Sequence, residues 1–289
     1  MSKLFSQTLS LNQTHYVEGT ESTFTYKLPQ SREFSPEDTV GFQEISFYNS
    51  FFNIESSRNN NQFKIIWNAD TTTEYTITID DSYLTIADLN ELIKAKCLEH
   101  KLYLVEDATG KMINYITLGV IASQYKVEFK FYPLETSAQS TALGYSKPAG
   151  ATWDFPTTPK TPQFEFLSND FNNLLGFPKN TTYPTTVQSA QTQVVSPNIP
   201  QILTVTNVQL SCNLINNPYT IPQSILSSIP VNGDFGNLLY FQNASGNYSN
   251  IKGARYDQIT VSFLDQLGKP LVFRDRNINI LLNIKSKLP

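Results

Sequence analysis

FQEISFYNSFFNI, residues 42–54, decides how this chain is read. Val40 and Phe42, then Ile45 and Phe47, place apolar side chains at every second position, the period of a β-strand with one buried face. The step between Phe42 and Ile45 is out of phase, which predicts a bulge or a local twist. At the far end Phe51 and Phe52 are adjacent and flanked by asparagine and serine. Neighbouring residues of a regular strand face opposite sides, so the two rings cannot both enter one core. Aromatic rings bury a large area at small entropic cost, so Phe51 and Phe52 are candidate subunit contacts. Phe42, Ile45 and Phe47 read as well for a sandwich core.

Period two continues on both sides of this stretch. LFSQTLSL (4–11) alternates imperfectly, and STFTYKL (22–28) alternates cleanly, with Phe24, Tyr26 and Leu28 on one face. FKIIWN (63–68), EYTITI (74–79), NYITL (114–118) and YKVEFKFY (125–132) read as antiparallel strands. Among them LTIADLNELIKAKCLEH (84–100) is a helix: Thr85 and Asp88 form a capping box, and Ile86, Leu89, Ile93 and Cys97 share one face. Residues 133–163 are rich in Pro, Thr, Ser and Ala and read as a long loop. SNDFNNLLGF (168–177) reads as a short helix capped by Ser168 or Asn169 and ended by Gly176. Residues 178–200 are irregular, and strands resume at 202–215, 237–241, 258–264 and 277–284, with FEFL (164–167) counted beside them.

There is no βαβ rhythm, so a parallel sheet is not expected. The expected fold is mainly β: a single jelly-roll sandwich, eight antiparallel strands in two sheets, with a small mixed α/β insertion. Residues 1–57 would form the first part of the jelly roll and 58–132 the inserted block. Residues 133–289 would supply the long loop and the remainder. The last two strands, carrying Ile259, Val261 and Phe263 in one and Ile278, Ile280 and Leu282 in the other, are expected to pair with each other around the Gly268–Pro270 turn.

Composition narrows function by exclusion. The 289 residues hold 21 basic and 25 acidic side chains, a net charge of −4, too mild to direct the chain to nucleic acid or an anionic membrane. No stretch approaches the ~18 apolar residues of a membrane-spanning helix, and no apolar run of a signal peptide follows Met1. Two cysteines and two histidines cannot make a zinc cluster or a disulfide framework. Cys97 lies three residues before His100, but it also completes the apolar helix face, so a core role accounts for it. Cys212 reads as a buried strand residue. Asp80 and Asp81 fit turn and helix-start chemistry. No nucleotide-binding glycine motif and no nucleophile elbow is present. The chain therefore reads as a non-enzyme without a cofactor or metal.

Several stretches together resemble a known family: MSKLFSQTLSLNQTHYV, TFTYKLP and ISFYNSFFNI in the first part, then FNNLLGF, VQLSCNLINNPY and YDQITVSFLDQLGKPLVFRDRNINILLNI. In this order they are similar to the penton, or minor capsid, proteins of virophages and of Polinton or Maverick-type elements and their relatives. The resemblance implies a single jelly-roll capsid subunit that forms homopentamers at icosahedral vertices. A double jelly-roll major capsid protein would surround it. It implies a place in the virion after synthesis in the host cytoplasm or nucleus, with the inserted block projecting outward or covering the vertex, where a host receptor could meet it. Arg274 and Arg276, in the FRDRN stretch, join Phe51 and Phe52 as candidate subunit contacts. The competing reading is a β-sandwich that binds carbohydrate or a receptor, with Trp67, Trp153 and tyrosines supplying the site.

Overall fold

The computed structural model describes residues 4–18, 20, 22–243 and 247–287. The chain forms two compact units, one from residues 1–51 and 205–289 and the other from 52–204.

The first unit opens with β1 (Leu4–Leu11), β2 (Thr23–Phe34) and β3 (Thr39–Tyr48). The second contains β4 (Gln62–Asn68), β5 (Thr72–Thr78), α1 (Ile86–Glu99), β6 (Leu104–Glu106), β7 (Met112–Ile113), β8 (Ile116–Ile121) and β9 (Lys126–Phe131). It continues through α2 (Ser137–Leu143), β10 (Tyr145–Ser146), β11 (Gln163–Phe166), α3 (Phe171–Leu175), β12 (Thr181–Tyr183) and β13 (Thr192–Val195). The chain then returns to the first unit for β14 (Asn207–Cys212), β15 (Ile225–Pro230), β16 (Leu238–Gln242), β17 (Ser249–Asn250), β18 (Ala254–Leu264) and β19 (Asn279–Lys287).

In the first unit two antiparallel sheets share one core. One runs β1-β19-β3-β16, with the short β17 also on β3; the other runs β15-β14-β18-β2. Alternation explains why each sheet has a dry and a wet face. Phe24 on β2 is buried, whereas Thr23 and Thr25 lie opposite Ser262 and Thr260 and exchange hydroxyl contacts at 3.1 and 3.2 Å. Phe47 of β3 meets Phe263 of β18 across the sandwich, ring centroids 6.1 Å apart. The bulge expected between Phe42 and Ile45 is present: Leu282 lies opposite Phe42 and Leu281 opposite Glu44, so Gln43 is the extra residue.

The last two strands do not pair with each other, contrary to the sequence expectation. β18 pairs with β14 and β2, and β19 with β1 and β3. Residues between them are the cause. The Asp265 carboxylate accepts the amides of Leu267 and Lys269 and turns the chain back, so that the Leu271 amide bonds the Phe263 carbonyl at 3.1 Å. The chain then crosses to the other sheet, where Ser50 Oγ accepts the amides of Arg274 and Asp275 at 3.2 Å.

The second unit has its own core, from Ile54 to Phe177. Its sheets are β12-β11-β4-β5, β13-β9-β8 and β10-β6-β7. The α1 capping box forms in both directions between Thr85 and Asp88, and Ile86, Leu89, Ile93 and Cys97 are its buried residues. This unit is larger than a block of 58–132. β11 pairs with β4, and β13 with β9, so the chain stays in the unit until Thr204. FEFL therefore belongs here and not to the sandwich of the first unit. The Pro- and Ser-rich stretch is not one loop either: it holds α2, capped by Thr136 and Gln139 and ended by Gly144 at φ 71°. At α3 the cap residue is Asp170, one beyond the residues expected, while Asn169 Oδ1 accepts the Phe171 amide at 3.1 Å.

Candidate functional site

Cys97 and Cys212 are buried, and burial pushes each thiol up to about 12, so both are protonated at neutral pH. His100 ends α1 with its ring 4.7 Å from that of Tyr75. His15 lies in a short 3₁₀ turn, with Nδ1 3.3 Å from the Asn12 amide and its ring 5.4 Å from Tyr26. Asp81 accepts the Ser56 amide at 2.7 Å. Among the described residues no three His, Cys, Asp or Glu side chains group as a metal site would require. Burial, and then its hydrogen bond to Glu135, holds the Tyr115 phenol well above the usual range.

A sugar or receptor site built on the tryptophans meets a geometric obstacle. Trp67 is 1% exposed and Trp153 4% exposed. Their rings pack edge to face at 5.4 Å inside the second unit, and Trp153 Nε1 donates to the Lys101 carbonyl at 2.8 Å. Neither ring presents a face to a ligand.

Of the four candidate contacts, the fold brings Phe51, Arg274 and Arg276 into one region of the first unit. Phe51 is 6% exposed, and its ring packs on Phe273 at 5.0 Å and on Phe47 at 6.2 Å. Phe51 is thus a core residue, because the strand has ended and the chain turns the ring inward; its side chain is not available as a surface contact. Phe52 opens the second unit and is half-buried, its carbonyl accepting Thr204 Oγ1 at 3.3 Å. Arg274 and Arg276 are exposed, and the Arg276 guanidinium lies 4.3 Å from the centre of the Tyr16 ring.

Sequence reasoning passed over a more conspicuous surface. β16 ends its sheet, and Leu238 and Tyr240 on its outer face are 54% and 55% exposed. The Tyr240 hydroxyl donates to Glu44 Oε2 at 3.0 Å, which raises its pKa above the ordinary phenol value. NLLYF announces a strand, but period two cannot say whether that strand lies inside a sheet or at its edge.

No family model and no curated protein matches the chain in sequence. Among solved structures, the chain is similar to the selenomethionine-labelled crystal structure of the mavirus penton protein. The two are 10% identical, the alignment covers 99% of each chain, and the TM-score is 0.44.

Proposed function

We infer that this chain is a capsid structural protein, a penton-type subunit that forms homopentamers at icosahedral vertices and contacts a double jelly-roll major capsid protein. The observation that carries this reading is the strand order of the first unit. With the two-residue β17 set aside, its strands among the described residues number eight in chain order, and the sheets run first-eighth-third-sixth and fifth-fourth-seventh-second. Two interlocked Greek keys generate this order, and it supports a single jelly roll, the architecture common in capsid domains. The family resemblance of ISFYNSFFNI and YDQITVSFLDQLGKPLVFRDRNINILLNI falls on strands and connections of this unit, apart from Phe52–Ile54.

In this reading residues 52–204 are an insertion between the third and fourth strands of the jelly roll. Thr204 Oγ1 bonds the Phe52 carbonyl, and Asn53 Nδ2 bonds the Ile202 carbonyl at 3.2 Å, so the two ends of the unit lie side by side. Inserted units leave and rejoin a host domain in this way. A host receptor would be met through this unit.

Purified protein examined by analytical ultracentrifugation and negative-stain microscopy tests the reading. Five-membered rings, recruited to particles when the major capsid protein is co-expressed, are the expected result. A protein that stays monomeric at all concentrations and is left out of particles would overturn it.

A further inference from the structure

The first unit has four sheet edges, and they are not protected equally. A free strand edge offers unpaired N–H and C=O groups and is normally blunted by proline, charge, a bulge or a cover. Both edges of the β15-β14-β18-β2 sheet are blunted. β2 carries Lys27, Pro29, Arg32 and Glu33, and its register breaks between the pairs Tyr256–Arg32 and Gln258–Lys27. β15 ends on Pro230 and is bulged opposite Leu210 and Ser211. The edge strands of the β1-β19-β3-β16 sheet, LFSQTLSL and LLYFQ, carry no charge, proline or bulge of their own, although the Arg32 guanidinium of β2 reaches Gln7 Oε1 of β1. The pairing of each with its neighbour is regular.

The open side of β16 can be assigned residue by residue. The Asn49 amide bonds the Asn237 carbonyl at 2.9 Å, and the Asn243 amide bonds the Gln43 carbonyl at 2.9 Å. In an antiparallel ladder alternate residues bond to the same neighbour. Leu238, Tyr240 and Gln242 therefore turn their main-chain groups outward, away from β3.

We propose that β16 is a strand-addition site whose occupant is a second copy of this chain, presenting its β1 edge. A closed ring of identical subunits needs a heterologous contact, two different patches on each copy that fit one another. These two edge strands, regular and free of charge and proline, stand at opposite ends of one sheet, one patch for each neighbour. Main-chain hydrogen bonds would supply the attraction, as in other strand additions. The proposal rests on the subunit reading above and adds the surface through which subunits join.

Proline at Tyr240 removes an outward N–H and leaves the bonds to β3 in place. Tyr240→Pro and Tyr240→Lys are compared with the unaltered full chain by sedimentation velocity over a concentration series, with melting temperature as the control for folding. The proline variant should raise the concentration needed for assembly roughly a hundredfold, and the lysine variant about tenfold. If the unaltered chain assembles and both variants assemble as readily, the edge is wrong while the subunit reading stands. If the unaltered chain never assembles, both fall. Should proline also lower the melting temperature, the lysine variant decides. Hydrogen exchange on the assembled protein identifies the occupant: the amides of β16 and β1 should both exchange more slowly than in the monomeric variant. Protection of β16 without β1 would overturn the choice of partner edge.

Discussion

The two units bury their aromatic rings differently. In the first, the principal contacts are edge to face: Phe24 with Phe263 at 78°, Phe47 with Phe263 at 69°, and Phe47 with Phe273 at 82°. In the second, several rings lie nearly parallel, Phe63 on Phe164 at 18° and Phe166 on Phe177 at 19°. The supports differ too. Long strands hold Phe24, Phe47 and Phe263 of the first unit, and alternation aims them inward; Phe51 and Phe273 come from the connections beside them. The second unit draws rings from short strands and the segment around α3, and buried asparagines tie its connections down. Asn53, Asn60, Asn68, Asn169 and Asn172 are buried there, against Asn49 among the described residues of the first unit. Asn60, for example, accepts the Glu55 amide and donates to the Asn53 carbonyl, both at 2.8 Å. A sandwich of long strands satisfies its backbone by pairing; a unit of short strands must recruit side chains for that task.

Removing one unit is the strongest test of this difference. Replacing residues 52–204 with a short linker from Phe51 to Val205 should leave a β-rich protein by circular dichroism that unfolds in one transition. An unfolded remainder would show that the sandwich depends on the insertion. Single core truncations come next. Phe263 and Phe129 are both 0% exposed, and Phe263→Ala or Phe129→Ala should each cost ~3–5 kcal/mol. Denaturant unfolding of the full chain should show Phe263→Ala moving the transition of the first unit and Phe129→Ala that of the second. One shared transition, moved equally by both, would break the comparison.

The asparagine supports predict a smaller effect. Asn60→Ala removes the side-chain partner of a buried amide and of a buried carbonyl and should destabilise the second unit by about 1–3 kcal/mol, whereas Asn243→Ala, which loses two longer bonds to Asn247 at 3.3 Å, should cost less. Thr85→Ala removes the α1 cap, about 0.5–2 kcal/mol. The same cap has a signature in acid. Hydrogen bonds from the Thr85 side chain and backbone lower the Asp88 pKa. A carboxyl with a lowered folded pKa stabilises above its unfolded value, about 3.9, and loses that contribution as pH falls through the folded value. Thermal melts below about pH 4 should therefore decline less steeply in Thr85→Ala than in the unaltered chain. Arg276→Ala should shift stability least, by about 0.5–1 kcal/mol or less, since the guanidinium stacks on Tyr16 at an exposed site.

The sequence by itself determined the local elements, because their causes are local. Alternation placed β1, β3, β18 and β19 and, for the last three, set which face is buried. The Thr85–Asp88 box and the four-residue apolar face defined α1, and the phase slip at Phe42 marked the bulge at Gln43. What it left to the tertiary structure depends on pairing between distant segments. Period two is the same whether β18 pairs with β19 or with β2, and the structure chose β2 because the Asp265 turn and the crossing beside Ser50 carry the chain to the other sheet. The extent of the second unit was hidden for the same reason, since β11 and β13 reveal their membership only by pairing with β4 and β9. Phe51 and Tyr240 show the limit most sharply. Both are aromatic residues in strand-like sequence, yet one is sealed against Phe273 and the other stands on an open edge, because burial depends on what the rest of the chain places beside a residue.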